Sequence, residues 1–314
     1  MSQPAFSHQP VLFREVLEAL QVRPDGVYVD GTFGRGGHAA AILAQLNEKG
    51  RLLVMDKDPE AIAFARQQHA NDARVSIIHD DYSQMAACVE RLGLTQGVDG
   101  VLLDLGVSSP QLDDASRGFS FQHNGPLDMR MNPDAGMSAS DWLMTAKEKE
   151  IADVLWELGE ERFSRRIASR IVLFREQQPI RDTASLARII SECVPAYKEK
   201  KHPATRSFQA IRMKVNQELE HIEQVLEQIF DVLNIGGRVL VISFHSLEDR
   251  LVKRFIKKHS TAPAVPRGLP VRDSDIAVTL RLRSIGKAVK ATAEEIKQNA
   301  RSRSAVLRIA ERVS

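Results

Sequence analysis

Cysteine is nearly absent from this chain of 314 residues: only Cys88 and Cys193 occur, too few and too far apart for a disulfide framework or a zinc site. Both read as ordinary buried or partly buried thiols, which suits a reducing compartment. No apolar run approaches the length needed to span a membrane. Met1 to Pro10 has neither a basic region nor an apolar core of the kind that targets export. A soluble, cytoplasmic protein with no membrane partner is therefore the expectation. No cluster of ligand-type residues calls for a metal.

Net charge is also small, +2 overall, but this total conceals an asymmetry. Residues 200–314 carry 22 Lys and Arg against 12 Asp and Glu, net +10, which leaves 21 against 29, net −8, for residues 1–199. A basic end suits a polyanion, because each phosphate neutralised releases counterions. Scattered lysines and arginines on a solvated face account for the numbers equally well. The length is enough to bury a full core, as one large domain or two smaller ones.

The stretch that organises the rest is Val27 to His38, Val-Tyr-Val-Asp-Gly-Thr-Phe-Gly-Arg-Gly-Gly-His. A β-branched run ends at Asp30, a glycine-dense turn follows, and Ala39 to Leu46 reads as a helix. Gly34, Gly36 and Ala39 fit the G-x-G-x-x-G/A spacing, in which glycines let backbone N–H groups approach a nucleotide-type ligand. A tight turn without a ligand would use the same residues. Arg51 to Asp56 reads as a second buried strand, with Asp56 placed 20 residues after Gly36 to accept hydrogen bonds from ribose hydroxyls. Asp56 could instead cap the next helix, but Asp58-Pro59-Glu60 supplies that cap. Arg74 to His79 followed by Tyr82, and Asp99 to Leu105 with Asp104, complete a pattern of strand alternating with helix. Such alternation predicts a parallel, doubly wound sheet whose ligands sit at the carboxyl ends of the strands. Asp30, Asp56, Tyr82 and Asp104 all fall at those ends, as a shared pocket would require.

The next strand is delayed. A loop over 111–137 leads into helices. Thr145 to Glu148 reads as a capping box ahead of Ile151 to Leu158, and helices are expected over Phe163 to Phe174 and Ser185 to Cys193. Residues 111–208 thus form an inserted all-helical subdomain between core segments 1–110 and 209–314. Arg162, Arg165, Arg166 and Arg170, with Lys198, Lys200, Lys201, His202, Arg206, Arg212 and Lys214, could make one basic surface or a solvated one. Apolar spacing from Phe208 to Leu233 predicts one long helix, ended by Gly236-Gly237 before a fifth strand, Arg238 to Phe244. Val278 to Arg283 and Ala305 to Ala310 read as final antiparallel strands, and Lys287 to Arg303 between them as a basic loop.

Five segments together resemble a known family: Asp30-Gly-Thr-Phe-Gly-Arg-Gly-Gly-His38, Asp104-Leu-Gly-Val-Ser-Ser-Pro-Gln-Leu-Asp113, Gly125-Pro-Leu-Asp-Met-Arg130, His202-Pro-Ala-Thr-Arg206 and Ser243-Phe-His-Ser-Leu-Glu-Asp-Arg250. They are similar to those of the bacterial small-subunit ribosomal RNA methyltransferase H family, and the likeness covers almost the whole chain. The resemblance implies a Rossmann-like core of the class I S-adenosylmethionine-dependent methyltransferases with an inserted helical domain. It also implies methylation of the exocyclic N4 of a cytosine in the decoding region of 16S ribosomal RNA, in the small subunit or a late precursor. Carried over by position, Gly36, Gly37 and His38 would line the methionine and sulfonium, Asp56 would hold the ribose, Tyr82 and Asp104 would border the adenine, and Gln111 would close the pocket. A homodimer is compatible with the sequence.

Methyl transfer to a weakly nucleophilic aromatic amine depends on positioning, which can supply roughly 7–11 kcal/mol of the barrier, and on an acceptor for the N4 proton. Asp104 and Ser109 are the candidates for that catalytic role. Other amino methyltransferases carry an aromatic residue after strand four, which Asp104 to Pro110 lacks, so the group that orients the flipped cytosine must come from elsewhere. Ser108, His202 and Arg206 are the candidates for contacts to RNA. Two rival classes share part of this pattern. A nicotinamide-dependent oxidoreductase would use the glycine turn and Asp56 but not the basic insert; a non-catalytic RNA-binding assembly factor would use the basic surface but not the acids.

Overall fold

The computed structural model describes residues 10–94, 96–195, 202–262 and 280–314. The chain divides into two compact units, Met1–Gly106 with Leu219–Ser314, and Val107–Glu218. Among the described residues, the first holds a sheet of eight strands: β1 Val27–Asp30, β2 Arg51–Asp56, β3 Val75–His79, β4 Val98–Asp104, β5 Leu233–Ser243, β6 Leu282–Ser284, β7 Val289–Lys290 and β8 Val306–Arg312. Their order is β3-β2-β1-β4-β5-β8-β6, with β7 also paired to β8. β1 to β5 are parallel, and β8 runs antiparallel to β5, with Ser243 opposite Val306 and Arg238 opposite Glu311. This is the doubly wound Rossmann-like sheet that the strand–helix alternation predicts. Strand order reverses between β1 and β4, so the crevice available to a ligand lies over the carboxyl ends of those two strands.

The short strands are apolar on both faces because helices cover both. On one side Tyr28, Leu52, Val54 and Leu102 pack with Val16 and Leu20 of α1 (Phe13–Leu20), Ile42 of α2 (Gly37–Leu43) and Ala61 of α3 (Pro59–His69). On the other, Val29, Leu53 and Leu103 pack with Met85 and Val89 of α4 (Met85–Arg91). Ile222 and Ile229 of α11 (Glu218–Val232) and Val252 of α12 (Ser246–Ser260) complete that side. Each such side chain removed from water contributes about 1.5–3 kcal/mol, which fixes the strand ends in space.

The second unit contains α5 (Ser109–Asp113), α6 (Ala139–Thr145), α7 (Glu148–Glu157), α8 (Ser164–Arg175), α9 (Thr183–Cys193) and α10 (Thr205–Asn216). Its own core is built on Leu127, Trp142, Ile151, Leu155, Ile167, Ile190, Phe208 and Ile211. Asn216 is the polar pin of that core. Its Oδ1 accepts from Met131 N at 2.7 Å, while its Nδ2 donates to Met129 O at 2.7 Å and Arg212 O at 2.9 Å. No described helix is long and apolar enough to cross a membrane.

Four local expectations differ from the structure. The helix expected from Phe208 to Leu233 is two, α10 and α11, because Gln217 adopts a left-handed conformation (φ 52°) that breaks the hydrogen-bond ladder while leaving the apolar spacing almost in phase. β5 begins at Leu233, before the glycine pair, and the irregular register with β4 near Val98 and Gly100 absorbs the difference. Thr145 is not part of a capping box for α7: its Oγ1 donates back to Asp141 O at 2.9 Å, and Lys147 occupies the cap position without a side-chain bond. Finally, the basic stretch 287–303 is ordered as β7, α13 (Ala293–Gln298) and a 3₁₀ turn over Ala300–Ser304, with Thr292 capping α13 through the Glu295 N–H. Lys198, Lys200, Lys201 and Val278 lie outside the described residues.

Candidate active site at the strand ends

The glycine turn is held by its own chain first. Gly31 N donates to Leu102 O at 2.9 Å, Phe33 N to Met55 O at 2.9 Å and Gly36 N to Phe33 O at 2.7 Å. Gly34 and Gly36 have φ values of 53° and 72°, in the region that favours glycine. A Cβ on Gly36 would lie 2.6 Å from the Phe33 ring and one on Gly37 2.3 Å from Pro10, so these two glycines are demanded by packing within the turn. At Gly34 a Cβ would meet nothing within 4 Å, which leaves that side of the turn open.

Asp56, at the end of β2, is the strut of this turn. Its Oδ2 accepts from Gly34 N at 2.8 Å and its Oδ1 from Asp58 N at 2.9 Å, leaving one lone pair on each oxygen for a ligand hydroxyl. Burial pushes its pKa up to about 6, against the two backbone bonds that hold it down. Asp58 caps α3, its Oδ1 accepting from Glu60 N at 3.0 Å, as the sequence predicts. At the end of β1, Asp30 is 2 % exposed and accepts from Thr32 N at 3.1 Å; burial and the nearby Asp56 charge push it up to about 7.

Asp104 ends β4. Its backbone N–H donates to Thr32 Oγ1 at 2.6 Å, which ties β4 to the turn, while its carboxyl Oδ1 is buried with no hydrogen-bond partner among the described residues. Burial, then the charges of Asp30 and Glu248, push its pKa up to about 8. His38, in the first turn of α2, brings Nε2 to 3.9 Å from Asp104 Oδ2 and stacks on Phe13. Burial lowers its pKa to about 4, so the ring is neutral near pH 7 and makes no ion pair there. Glu248, in the first turn of α12, accepts from Phe244 N at 2.8 Å and adds a fourth carboxylate at the end of β5. Asp30, Asp56 and Asp104, raised in pKa by burial and by neighbouring carboxylates, together with the carboxylate of Glu248, suit a ligand that brings positive charge.

Tyr82 rides on a 3₁₀ turn after β3, whose cap is Asp81, accepting from Ser83 N at 2.8 Å. Asp81 Oδ2 also takes Lys57 Nζ at 3.0 Å and His221 Nδ1 at 2.9 Å, and His221 meets the Tyr82 ring edge-on. Burial alone would raise Asp81, but the His221 bond and the Lys57 charge outweigh it and hold the carboxylate well below its ordinary range. This trio joins Lys57, the residue after Asp56, to the Tyr82 turn. Sequence reading passed over it: Asp81 stands beside Tyr82 in the chain, but nothing in sequence marks a His 140 positions away as its partner. Glu248 was likewise visible only as part of a motif.

The remaining candidates lie in the second unit. Ser108 caps α5 and forms a capping box with Gln111: Gln111 N donates to Ser108 Oγ at 3.5 Å and Ser108 N to Gln111 Oε1 at 2.9 Å. Ser109 opens α5 directly after that cap. His202 stacks on Phe121 with ring centres 4.5 Å apart, and its Nδ1 accepts from Ala204 N at 3.2 Å. Arg206, in the first turn of α10, donates to Glu160 O at 3.4 Å. Gly36, Gly37, His38, Asp56, Tyr82 and Asp104 therefore gather on one rim of the first unit, and Gln111, Ser108, Ser109, His202 and Arg206 are placed by local structure of the second.

The model of the MraW methylase family matches residues 5–313. The chain is 54 % identical over 314 residues to the ribosomal RNA small subunit methyltransferase H of Alteromonas mediterranea, covering 100 % of both chains. It is 53 % identical over 308 residues to the protein of the same name from Coxiella burnetii, covering 98 % of this chain and 99 % of that one. Among solved structures, an rRNA methylase from Streptococcus thermophilus aligns with a TM-score of 0.43 at 10 % identity, covering 99 % of this chain and 100 % of that one.

Proposed function

The chain belongs to the MraW methylase family, and on that premise we propose that it methylates the exocyclic N4 of a cytosine in the decoding region of 16S ribosomal RNA, in the small subunit or a late precursor. S-adenosylmethionine is the donor. The observation that carries the reading is the rim of Asp30, Asp56, Asp104 and Glu248 around an open glycine turn, with one buried Asp104 oxygen unpartnered. A nicotinamide site has use for Asp56 but not for four acids, whereas a sulfonium cation is favoured by all of them.

The residues present fit the donor. Gly36, Gly37 and His38 border the methionine part, and the free lone pairs of Asp56 take the ribose hydroxyls, with charge-assisted bonds worth about 1.5–3 kcal/mol each. Tyr82 flanks the adenine end. When bound, S-adenosylmethionine supplies a methyl group made electrophilic by its sulfonium. Asp104 takes the proton that N4 loses: a carboxyl raised to about 8 is matched to proton transfer near neutral pH. Neutral His38 keeps that carboxyl free of a competing cation. Ser108, Ser109, His202 and Arg206 contact the RNA and orient the flipped base.

The test is transfer of labelled methyl from S-adenosylmethionine to bacterial small subunits that lack this modification, followed by nucleoside analysis. Label recovered as N4-methylated cytidine supports the reading. Label in another nucleoside removes the N4-cytosine assignment and keeps a ribosomal RNA methylase. Binding of a nicotinamide cofactor without methyl transfer would replace the reading by the oxidoreductase.

A further inference from the structure

A second concave site lies away from the strand-end rim, between the later turns of α12, the β6–β7 connection and β8. It encloses about 330 Å³. Its floor is apolar, made by Ile256, Ile285 and Ile309, and its walls carry Lys253 and Lys257 from one face of α12 and Lys287 from the β6–β7 connection. Lysines four apart on a helix share a face, and Gly286, with φ 66°, turns the connection so that Lys287 comes to the same cavity.

Among the described residues the charge lining this cavity is of one sign: no Asp or Glu takes part in it. Arg308 does reach it, but that guanidinium is already neutralised by a bidentate pair with Asp249 at 2.6 and 3.0 Å. Lys253, Lys257 and Lys287, by contrast, make no ion pair among the described residues. Ser260, Thr261 and Ser284 add hydroxyls that can donate or accept. A solvated helix face scatters its lysines over a convex surface among acids, and this one does not: two elements converge three unpaired ammonium groups on one recess. An ammonium group is a point charge with three rotatable donors, suited to phosphate oxygens whose angle is not fixed in advance. The apolar floor accepts a sugar or base face beside them.

We propose that this recess is a phosphate-binding site for the backbone of the RNA substrate, separate from the methyl-transfer rim and anchoring a part of the RNA that is not methylated. It rests on the RNA substrate assigned under Proposed function. It gives a role to part of the net +10 of residues 200–314 and predicts an electrostatic, sequence-independent contribution to binding.

The test is fluorescence anisotropy of a labelled decoding-region RNA with the full chain, titrated at several salt concentrations, for wild type, Lys253→Gln/Lys257→Gln/Lys287→Gln and the corresponding triple Lys→Arg variant. For three lost phosphate contacts the slope of log K against log salt should shrink by about 2 to 3, and affinity near 0.1 M salt should fall at least about tenfold. The Arg variant should keep wild-type slope, and S-adenosylmethionine affinity and melting temperature should be the same in all three, since the exchanged side chains are exposed. An unchanged slope in the Gln variant, with wild type binding RNA, overturns the recess and leaves the proposed activity standing. Wild type that binds neither this RNA nor small ribosomal subunits at any salt removes the proposed activity itself, and the recess with it.

Discussion

The two units place their polar residues for different reasons. In the sheet unit, Asp30, Asp56 and Asp104 stand where parallel strands stop, a position the architecture does not need to be acidic, and each is held above its ordinary pKa at a cost to the fold. In the helical unit, Ser108 and Gln111 satisfy one another as a capping box, His202 lies on Phe121, and Asn216 closes three backbone groups. A polar residue whose bonds complete local structure would be there without a ligand. One that is buried, destabilised and short of a partner needs another explanation.

The difference breaks down if Asp104→Asn leaves activity intact. Asn is nearly isosteric but accepts no proton, and the expected loss in methyl transfer is about 10²–10⁴-fold, with S-adenosylmethionine binding, followed by calorimetry, retained. The same substitution should raise the melting temperature at pH 8. The sign follows from linkage: a carboxyl raised to about 8 in the fold binds more protons than the unfolded chain between about pH 4 and 8, so stability declines as pH rises through that window, and Asn removes the decline.

In the helical unit the order of effects should invert, with stability lost rather than gained. Asn216→Ala orphans Met131 N and Met129 O and should cost about 2–4 kcal/mol in denaturant unfolding. A cost near zero would show that these backbone groups find other partners. The next effect in size is the pH profile: kcat/KM for RNA should rise up to about tenfold per pH unit below 8 and level off above it. A profile flat from pH 6 to 9 would exclude Asp104 as the proton acceptor. Smallest is Ser108→Ala, which removes a helix cap and should cost about 1 kcal/mol of stability. Methyl transfer should fall as well, because Ser108 is also placed against the RNA; unchanged transfer at constant fold would leave Ser108 a cap alone and sharpen the contrast between the units.

What sequence made legible follows the range of the forces involved. β1, β2, β4 and their terminal acids are short apolar runs ended by a carboxylate and a turn, so their pattern is local. Asp58 as the cap of α3 follows from three consecutive residues. The break at Gln217 was invisible because the apolar spacing continues across it and the residue type permits either conformation. Residues 287–303 read as a loop because they are basic and poor in apolar side chains, yet α13 is fixed by a bond from Leu12 N to Glu295 Oε1 across the chain. The strut role of Asp56 was likewise hidden: position pointed to the ribose, but the bond to Gly34 N appears only in three dimensions.

β4 and β5 are hydrogen-bonded neighbours although the whole helical unit stands between Asp104 and Leu233 in the chain. Folding order is therefore constrained. Joining these two strands while the intervening residues are still unfolded closes a very long loop, whose entropic cost grows with the logarithm of its length, and contacts of such separation form slowly. A helical unit that has folded first holds its two ends in place and turns that loop into a short one. The sheet's centre, with Asp104 on its rim, would then be the last part of the molecule to assemble, and a lesion in the helical core would appear as slow acquisition of donor binding after synthesis.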